Sequence, residues 1–290
     1  MSNTRNVETI IRSHHANMVG DGFKVFNLFP SSNEIPLSRM SPFFLMDYGA
    51  PTYFPPTQNP RGVEEHPHRG FETVTVAFQG AVAHRDSGGN SGVIYPGDVQ
   101  WMTAAGGVVH EEKHEPAFAA EGGTLEMLQL WVNLPKAHKM DTPSYQAITK
   151  ADIPEVAIGT EGSTLRVIAG QYEAAKGPAT THTPLHMYHI ELKAGDMIQL
   201  DLPAHYNTGV LLKKGTASIG DQIVHAIAFA VMQNEPGLVE LVAIDDSSLI
   251  VLSGEPIAEP IVAYGPFVMN TPDEINQALA DYRSGKMGHL

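Results

Sequence analysis

Two pairs of candidate metal ligands stand out because a single residue separates the two members of each pair. His66 and His68 flank Pro67 just before an apolar run, and His110 and Glu112 follow the glycine-rich segment TAAGGVV. Alternate residues of an extended strand point to the same side, so each pair can direct both side chains at one point. Three imidazoles and one carboxylate suit a divalent first-row transition ion, and this set does not choose among iron, nickel, copper, cobalt, manganese and zinc. An octahedral ion held by four protein ligands would keep two positions for substrate or dioxygen.

The spacing leaves a plainer alternative open, since a His-x-His sequence in a loop is more often a solvated turn than a ligand pair. The second His/Glu pair favours the metal site, and the absence of cysteine excludes thiolate ligands and a cysteine nucleophile. If the strand stays in register through Gly70, the side that carries the histidines continues as an apolar row suited to a barrel interior: Glu72, Val74, Val76 and Phe78.

The rest of the sequence predicts the framework that positions these residues. The 27 glycines and 21 prolines are spread through the chain and separate short apolar runs such as ETVTVAF and SLIVLSG, a pattern typical of strands and turns. Hydrophobic residues make up 42% and charged residues 17%, as in ordinary globular proteins. We therefore expect an all-β fold.

A length of 290 residues favours two domains, and a weak repeat supports this division. FETVTVAFQGAVAHRD and YNTGVLLKKGTASIGD align when Gly80 is placed on Gly215, which predicts an internal duplication. We place a metal-binding domain at residues 1–145 and a second domain at residues 146–290. No metal is expected in the second domain, because the alignment puts Asp201 and Pro203 where the first repeat has its histidine pair.

One amphipathic helix is expected at about residues 272–284, as the end of the second domain. Thr271 suits the N-cap position, with Glu274 three residues later as in a capping box. The predicted apolar stripe has the spacing of a helix face that packs on a core. Its members are Ile275, Ala278, Leu279 and Tyr282.

The formal net charge of −14 disfavours direct binding to nucleic acid or to an anionic membrane surface. The N-terminal sequence MSNTRNVETIIRSHHANMVG lacks the apolar segment of a secretion signal, and no apolar stretch of about 18 residues follows it. We therefore expect a cytoplasmic protein.

Several long stretches resemble the pirin family of the bicupin superfamily: HPHRGFETV, YPGDVQWMTAAGGVVHEE, LQLWVNLP and GPFVMNT. The likeness extends over nearly the whole chain. It implies two tandem cupin barrels of the jelly-roll type followed by a C-terminal helix. It also implies that His66, His68, His110 and Glu112 are the metal ligands and that the usual metal is iron, as Fe(II).

The general cupin pattern His-x-His-x3-Glu offers Glu72 as a rival fourth ligand. The resemblance to pirins favours Glu112, with Glu72 beside the site. The segment HEEKHE departs from the family pattern. We expect its Glu111, His114 and Glu115 to be solvated loop residues, the alternative being a position at the cavity mouth.

Other polar and aromatic residues near the motifs are expected to be structural. His84, Arg85 and Asp86 are assigned to closing a hairpin. Core or cavity-wall positions are expected for Phe78, Trp101, Met102 and Trp131.

The resemblance also implies an activity, because several pirins are similar to flavonol dioxygenases. The expected reaction is 2,3-dioxygenolytic opening of quercetin, in which O2 is consumed, the central ring is broken and CO is released. Glu112 would be the catalytic base that removes the proton of the flavonol 3-hydroxyl. The alternative is a non-enzymatic, metal- and redox-dependent regulator that binds a transcription factor or a metabolic enzyme. A third alternative is a metal that serves only stability.

Overall fold

The structure is a computed structural model that describes residues 4–30 and 35–290. In that part of the chain the strands are β1 Val7–Ile11, β2 Asn17–Val19, β3 Phe23–Phe29, β4 Phe43–Phe54, β5 Gly62–His68, β6 Phe71–Gln79, β7 Val82–Asp86, β8 Ser91–Ile94, β9 Val99–Thr103, β10 Val108–His114, β11 Gly123–Asn133, β12 Ser144–Ile148, β13 Glu155–Ala157, β14 Thr164–Ala169, β15 Gln171–Tyr172, β16 Ala175–Lys176, β17 Leu185–Leu192, β18 Met197–Leu200, β19 Asn207–Lys214, β20 Thr216–Ile219, β21 Gln222–His225, β22 Ala228–Met232, β23 Val239–Ala243, β24 Ser247–Gly254, β25 Val262–Tyr264 and β26 Phe267–Met269. The α-helices described are α1 Pro116–Glu121 and α2 Pro272–Arg283, and none of the described helices is long and apolar enough to span a membrane.

The chain forms two compact units. The N-unit comprises His15–Asn27, Phe43–Lys150 and Ile257–Leu290, and the C-unit comprises Met1–His14, Leu28–Pro42 and Ala151–Pro256. This division differs from the expected split after residue 145, because β12 contains that residue and pairs with β9 inside the N-unit.

Each unit contains one seven-stranded and one four-stranded antiparallel sheet. The N-unit sheets have the orders β12-β9-β6-β11-β4-β3-β2 and β5-β10-β7-β8. The C-unit sheets have the orders β1-β22-β19-β24-β17-β14-β13 and β18-β23-β20-β21. The two sets correspond strand by strand, with β6 and β7 in the places of β19 and β20. The all-β prediction is confirmed, and the matching orders agree with the proposed repeat.

The interiors of the two units differ where the candidate ligands lie. In the C-unit, β18 and β23 take the places of β5 and β10. Their inward residues belong to the aliphatic core, as shown by fully or nearly fully buried Ile198, Leu200 and Leu241. The C-unit position is therefore filled by side chains without metal-ligating atoms, and its lack of a metal stays a prediction.

Helix α2 is confirmed. Thr271 and Glu274 form the predicted capping box. The apolar stripe packs with Val109 of β10, so the C-terminal helix is part of the N-unit, and the expected domain bounds stay a prediction. Helix α1, which the sequence reading did not anticipate, begins after Glu115, whose carboxylate accepts a hydrogen bond from the Phe118 backbone N–H at 2.7 Å.

Candidate metal centre

Strands β5 and β10 bring three imidazoles together. In their antiparallel pairing His110 lies opposite His66, and Val108 lies opposite His68. The ring centroid of His110 is 4.3 Å from that of His66 and 4.8 Å from that of His68. One ligating nitrogen from each of the three rings can be chosen so that all lie within 4.8 Å of one another. The alternation along the two strands thus produces the predicted convergence of the histidines.

Burial keeps two of these rings in the form that binds metals. His68 is 4% exposed and His110 is fully buried. Burial is the main cause that lowers the pKa of both rings well below the usual range, and neighbouring histidines lower it further. Neutral imidazole offers a lone pair to a metal ion.

One ring nitrogen of His68 and one of His110 lack a partner among the described residues. His68 Nδ1 and His110 Nε2 are buried and, in the described part of the chain, have no hydrogen-bond partner. Leaving such groups unsatisfied costs about 1–3 kcal/mol each, which a coordinate bond would remove. His66 Nδ1 lies 2.7 Å from the carbonyl oxygen of Glu64, so its Nδ1–H can donate there and leave Nε2 for a ligand. The residues present therefore fit a transition-metal ion.

Glu112 joins this group through His110. The β5–β10 pairing has an irregularity between His110 and Glu112, and Glu112 lies opposite His84 of β7. Ligating atoms of Glu112, His84 and His110 form a second set within 4.8 Å of one another. The predicted ligands are thus divided between two overlapping sets that share His110, and the four-residue assignment stays a prediction.

Glu72 does not share the side of β6 that faces the histidines. Phe71 packs on His68 with ring centroids 5.0 Å apart, and the Thr75 hydroxyl lies 3.1 Å from Glu112 Oε1. Glu72 lies next to Phe71, so its side chain points to the opposite face of β6. Its Oε1 accepts a hydrogen bond from Thr103 at 2.7 Å. The expected continuation of the histidine face through Glu72 was wrong because the chain is interrupted between β5 and β6.

Gly70 accounts for that interruption. Its φ of +89° lies in the left-handed region that favours glycine, and a Cβ built there would lie 2.0 Å from the carbonyl oxygen of Val268. β5 and β6 consequently belong to different sheets. A shift by one residue moves every side chain of a strand to its other face. Thr75, and not Glu72, therefore faces the site.

The segment HEEKHE is not a solvated loop, because its first five residues complete β10. His114 is 1% exposed, and its Nε2 lies 2.8 Å from the carbonyl oxygen of Gly22. Glu111 accepts a hydrogen bond from Arg85 Nε at 2.5 Å. Glu111 and His114 line a cavity of about 400 Å³ together with His84. The lining of this cavity does not include the predicted ligands, so a position of these residues at the mouth of the metal cavity stays a prediction.

Aromatic rings form an apolar wall beside His68. Trp131 lies 5.3 Å from His68, 4.3 Å from Phe71 and 6.4 Å from Phe44, measured between ring centroids, and it stacks on both phenyl rings. Trp131 is partly exposed, whereas Trp101 and Met102 are buried in the core. Trp131, one of the aromatic residues singled out in the sequence, thus contacts the histidine cluster.

A row of polar residues crosses the seven-stranded sheet on the same face as Phe71 and Trp131. Asp47, Gln129, Thr75 and Gln100 are successive cross-strand neighbours on β4, β11, β6 and β9. Thr75 Oγ1 lies 2.7 Å from Gln129 Oε1. Burial raises the pKa of Asp47, although a hydrogen bond from Asn27 opposes this effect. The row supplies the hydrogen-bonding contacts of Glu112 and of the neighbouring histidine.

That histidine, His84, was assigned to a hairpin from the sequence. It is 4% exposed, and its Nδ1 lies 3.0 Å from Gln100 Nε2 and 3.4 Å from His110 Nδ1. Its Nε2 lies 3.2 Å from Asp86 Oδ2. The available signal was a third alternating pair, His84 and Asp86, directly before the expected turn.

Comparison with known proteins supports these observations. The model of the Pirin family matches residues 22–132, and that of the Pirin C-terminal cupin domain matches residues 187–288. A Pseudomonas aeruginosa protein named "Putative quercetin 2,3-dioxygenase" is 52% identical over 268 residues, which cover 92% of this chain and 93% of that protein.

Solved structures give the same result. The crystal structure of quercetin 2,3-dioxygenase from Acinetobacter baumannii has a TM-score of 0.94 at 46% identity and covers 98% of this chain and 99% of that chain. A bacterial pirin from Escherichia coli in complex with nickel(II) is similar in fold, with a TM-score of 0.65 at 19% identity and coverage of 86% of this chain and 99% of that chain. The chain has a cupin barrel in each half, and it matches both pirin domain models and these relatives. It therefore belongs to the pirin family of bicupin proteins.

Proposed function

We propose that this chain is a metal-dependent quercetin 2,3-dioxygenase that uses O2 to open the central ring of a flavonol and releases CO. The observation that carries the proposal is the cluster of half-buried His66 with buried His68 and His110, next to Glu112. In the described part of the chain, His68 Nδ1 and His110 Nε2 are buried and have no hydrogen-bond partner. The relatives named quercetin 2,3-dioxygenase support this choice of substrate.

In this proposal the three histidines and Glu112 hold one divalent ion, with Fe(II) as the preferred metal. Nickel, copper, cobalt, manganese and zinc have compatible donor preferences, and the E. coli pirin was solved with nickel. The bound ion would supply a Lewis-acidic centre that polarises an oxygen-rich substrate.

The protein residues have separate tasks in substrate binding. The partly exposed ring of Trp131, which stacks on buried Phe44 and Phe71, offers an apolar contact beside His68 that suits the planar rings of a flavonol. Gln129 and Thr75 lie on the same face of the sheet as Trp131. A substrate bound along this face of the sheet would have its aromatic rings beside Trp131 and its hydrogen-bonding groups beside Gln129 and Thr75.

Glu112 is proposed as the base that takes the proton of the flavonol 3-hydroxyl. It is 7% exposed, and its Oε1 is within 3.1 Å of the Thr75 hydroxyl. That contact would orient the carboxylate and leave its second oxygen available for the proton. A base acts over about 2.6–3.2 Å between heavy atoms, so the orientation of the carboxylate determines whether transfer occurs.

The test is incubation of the protein, loaded in turn with each candidate metal, with quercetin in air and under anaerobic conditions. We expect loss of the flavonol absorbance and formation of CO only with O2 and metal. Glu112→Gln should lose turnover. Absence of O2-dependent turnover with every candidate metal would refute the proposal.

The second candidate function is a regulator that binds a protein partner in a manner set by the redox state of its metal. The net charge of −14 suits a basic protein surface better than DNA. A pull-down that requires ferric rather than ferrous protein, together with no flavonol turnover, would favour this function.

A further inference from the structure

We infer that Asp86 and His84 form a hydrogen-bonded chain to His110 that selects its tautomer, so that Nε2 of His110 is the metal-ligating atom. The inference rests on the metal site of the proposed function and not on the choice of substrate. It makes His84 and Asp86 positioning residues.

The pairing of β7 with β10 brings the residues of this hydrogen-bonded chain together. His110 lies opposite Asp86, and Glu112 lies opposite His84. His84 and Asp86 are two residues apart on β7, so both side chains point to the side of β10 that carries His110 and Glu112. All four side chains are 7% exposed or less.

The turn after β7 anchors the carboxylate end. Asp86 Oδ1 accepts hydrogen bonds from the backbone N–H of Gly88 at 2.8 Å and of Asn90 at 3.1 Å. The Asn90 side-chain amide lies 3.0 Å from Asp86 Oδ2, the oxygen that faces His84. The carboxylate therefore has a fixed position before it meets the imidazole.

The charge of Asp86 determines which atoms donate and which accept along the hydrogen bonds from Asp86 through His84 to His110. An ionised carboxylate only accepts hydrogen bonds, so the 3.2 Å contact requires a proton on His84 Nε2. In the neutral ring His84 Nδ1 is then an acceptor, and it lies 3.4 Å from His110 Nδ1 and 3.0 Å from Gln100 Nε2. His84 Nδ1 has a single lone pair, which faces both the Gln100 amide and His110 Nδ1. An unprotonated His110 Nδ1 would place a second lone pair against it, which is repulsive, so the proton lies on His110 Nδ1 and the free lone pair on His110 Nε2.

Two further observations agree with this assignment. His110 Nε2 is buried and has no hydrogen-bond partner in the described part of the chain, as expected for an atom reserved for an ion. Tyr145 stacks on His84 with ring centroids 5.2 Å apart and planes 21° apart, which holds the His84 ring in orientation. A hydrogen bond to the non-ligating nitrogen is the usual means of orienting a metal-binding histidine.

Two amide substitutions of His84 test the inference. Asn places its amide oxygen near the former Nδ1 position, toward His110, whereas Gln places its amide near the former Nε2 position, toward Asp86. Both variants keep a polar side chain in the strand. Tyr145→Phe, which keeps the stacked ring and removes only the hydroxyl, is the matched control.

The first readout is the histidine tautomer, measured by long-range 1H–15N NMR on metal-free protein labelled at histidine. We expect the Nδ1–H form of His110 in the wild type, in His84→Asn and in Tyr145→Phe. His84→Gln should show the Nε2–H form or a mixture of both. An unchanged Nδ1–H form in His84→Gln would overturn the inference.

The second readout is calorimetric titration with Ni²⁺. His84→Gln should bind the ion about 10- to 100-fold more weakly than the wild type, and His84→Asn should recover most of the affinity. Equal weakening in both amide variants, with the His110 tautomer unchanged, would instead identify His84 as a direct ligand together with Glu112. Neither readout uses quercetin, so a failure of the proposed activity would remain distinguishable from a failure of this inference.

Discussion

Arg69 donates a hydrogen bond from its guanidinium to Asp281 Oδ2 at 2.9 Å, and this ion pair ties the residue after His68 to helix α2. Arg69 also donates to the carbonyl oxygen of Gly106 at 2.8 Å, in the turn before β10. Hydrogen bonds from Lys286 and Arg69 lower the pKa of Asp281, so the carboxylate is charged at neutral pH. The C-terminal helix thus helps to hold both histidine strands.

We expect Asp281→Asn to destabilise the protein, because the nearly buried Arg69 would lose its charged partner. A hydrogen bond to a charged group contributes about 1.5–3 kcal/mol, which corresponds to a fall in melting temperature of roughly 4–10 °C for a domain of this size. Lys286→Met is the control, since its side chain is 66% exposed and its ion pair with Asp281 should contribute less than about 1 kcal/mol. Equal effects of the two substitutions on thermal unfolding would contradict this prediction.

Loss of the Thr75 hydroxyl should reduce turnover through the orientation of Glu112 more than it reduces the stability of the fold. We expect Thr75→Val to reduce quercetin turnover about 10-fold or more through loss of the contact that orients the carboxylate. Thr73→Val provides a matched control on the same face of β6, because the Thr73 hydroxyl is buried without a hydrogen-bond partner among the described residues. Steady-state kinetics should show a loss only in Thr75→Val, and a similar loss in both variants would argue against the orienting role.

The two carboxylates considered as the fourth ligand can be separated by metal analysis. We expect Glu112→Gln to lower the metal content after dialysis, because a carboxylate beside His110 is lost. Glu72→Gln should retain wild-type metal content, since Glu72 contacts Thr103 and has the opposite parity on β6. If Glu72→Gln lost its metal and Glu112→Gln kept it, the assignment would be reversed.

Lys139 should make stability depend on pH in the alkaline range. The side chain is 1% exposed and donates to the carbonyl oxygens of Gly70 and Val268 and to Asn133 Oδ1, at 2.6–2.8 Å. Burial lowers the pKa of Lys139 to about 7, whereas the unfolded chain has a lysine pKa of about 10.4.

Between pH 7 and 10 the unfolded state therefore binds more protons than the folded state, and the contribution of Lys139 to stability rises with pH. It is smallest below pH 7 and largest above about pH 10.4. Urea unfolding should show the free energy difference between wild type and Lys139→Met increasing by at most about 1.4 kcal/mol per pH unit in this window. A slope of the opposite sign for Lys139 would exclude a lowered pKa.

Part of the site could be predicted from the sequence, because alternate residues of a strand point to the same side. This alternation placed His66 and His68 on one side of β5, and the capping box predicted the start of α2. The expected parity of Glu72 failed because Gly70 separates β5 from β6, an interruption that depends on the contact of Gly70 with the backbone of Val268. His84 could not be assigned because its neighbours depend on the register of β7 against β10, which joins residues 26 positions apart.

The matching strand orders of the two units have a calorimetric consequence. An ion that binds the folded N-unit stabilises only that unit, because the imidazoles converge only when the N-unit is folded and the free energy of binding favours that folded state. As Ni²⁺ is added, we expect the heat-absorption peak of the N-unit to move to higher temperature while that of the C-unit stays in place. One polypeptide would then contain a metal-responsive barrel and, in a barrel of the same topology with an aliphatic interior, its own unresponsive reference.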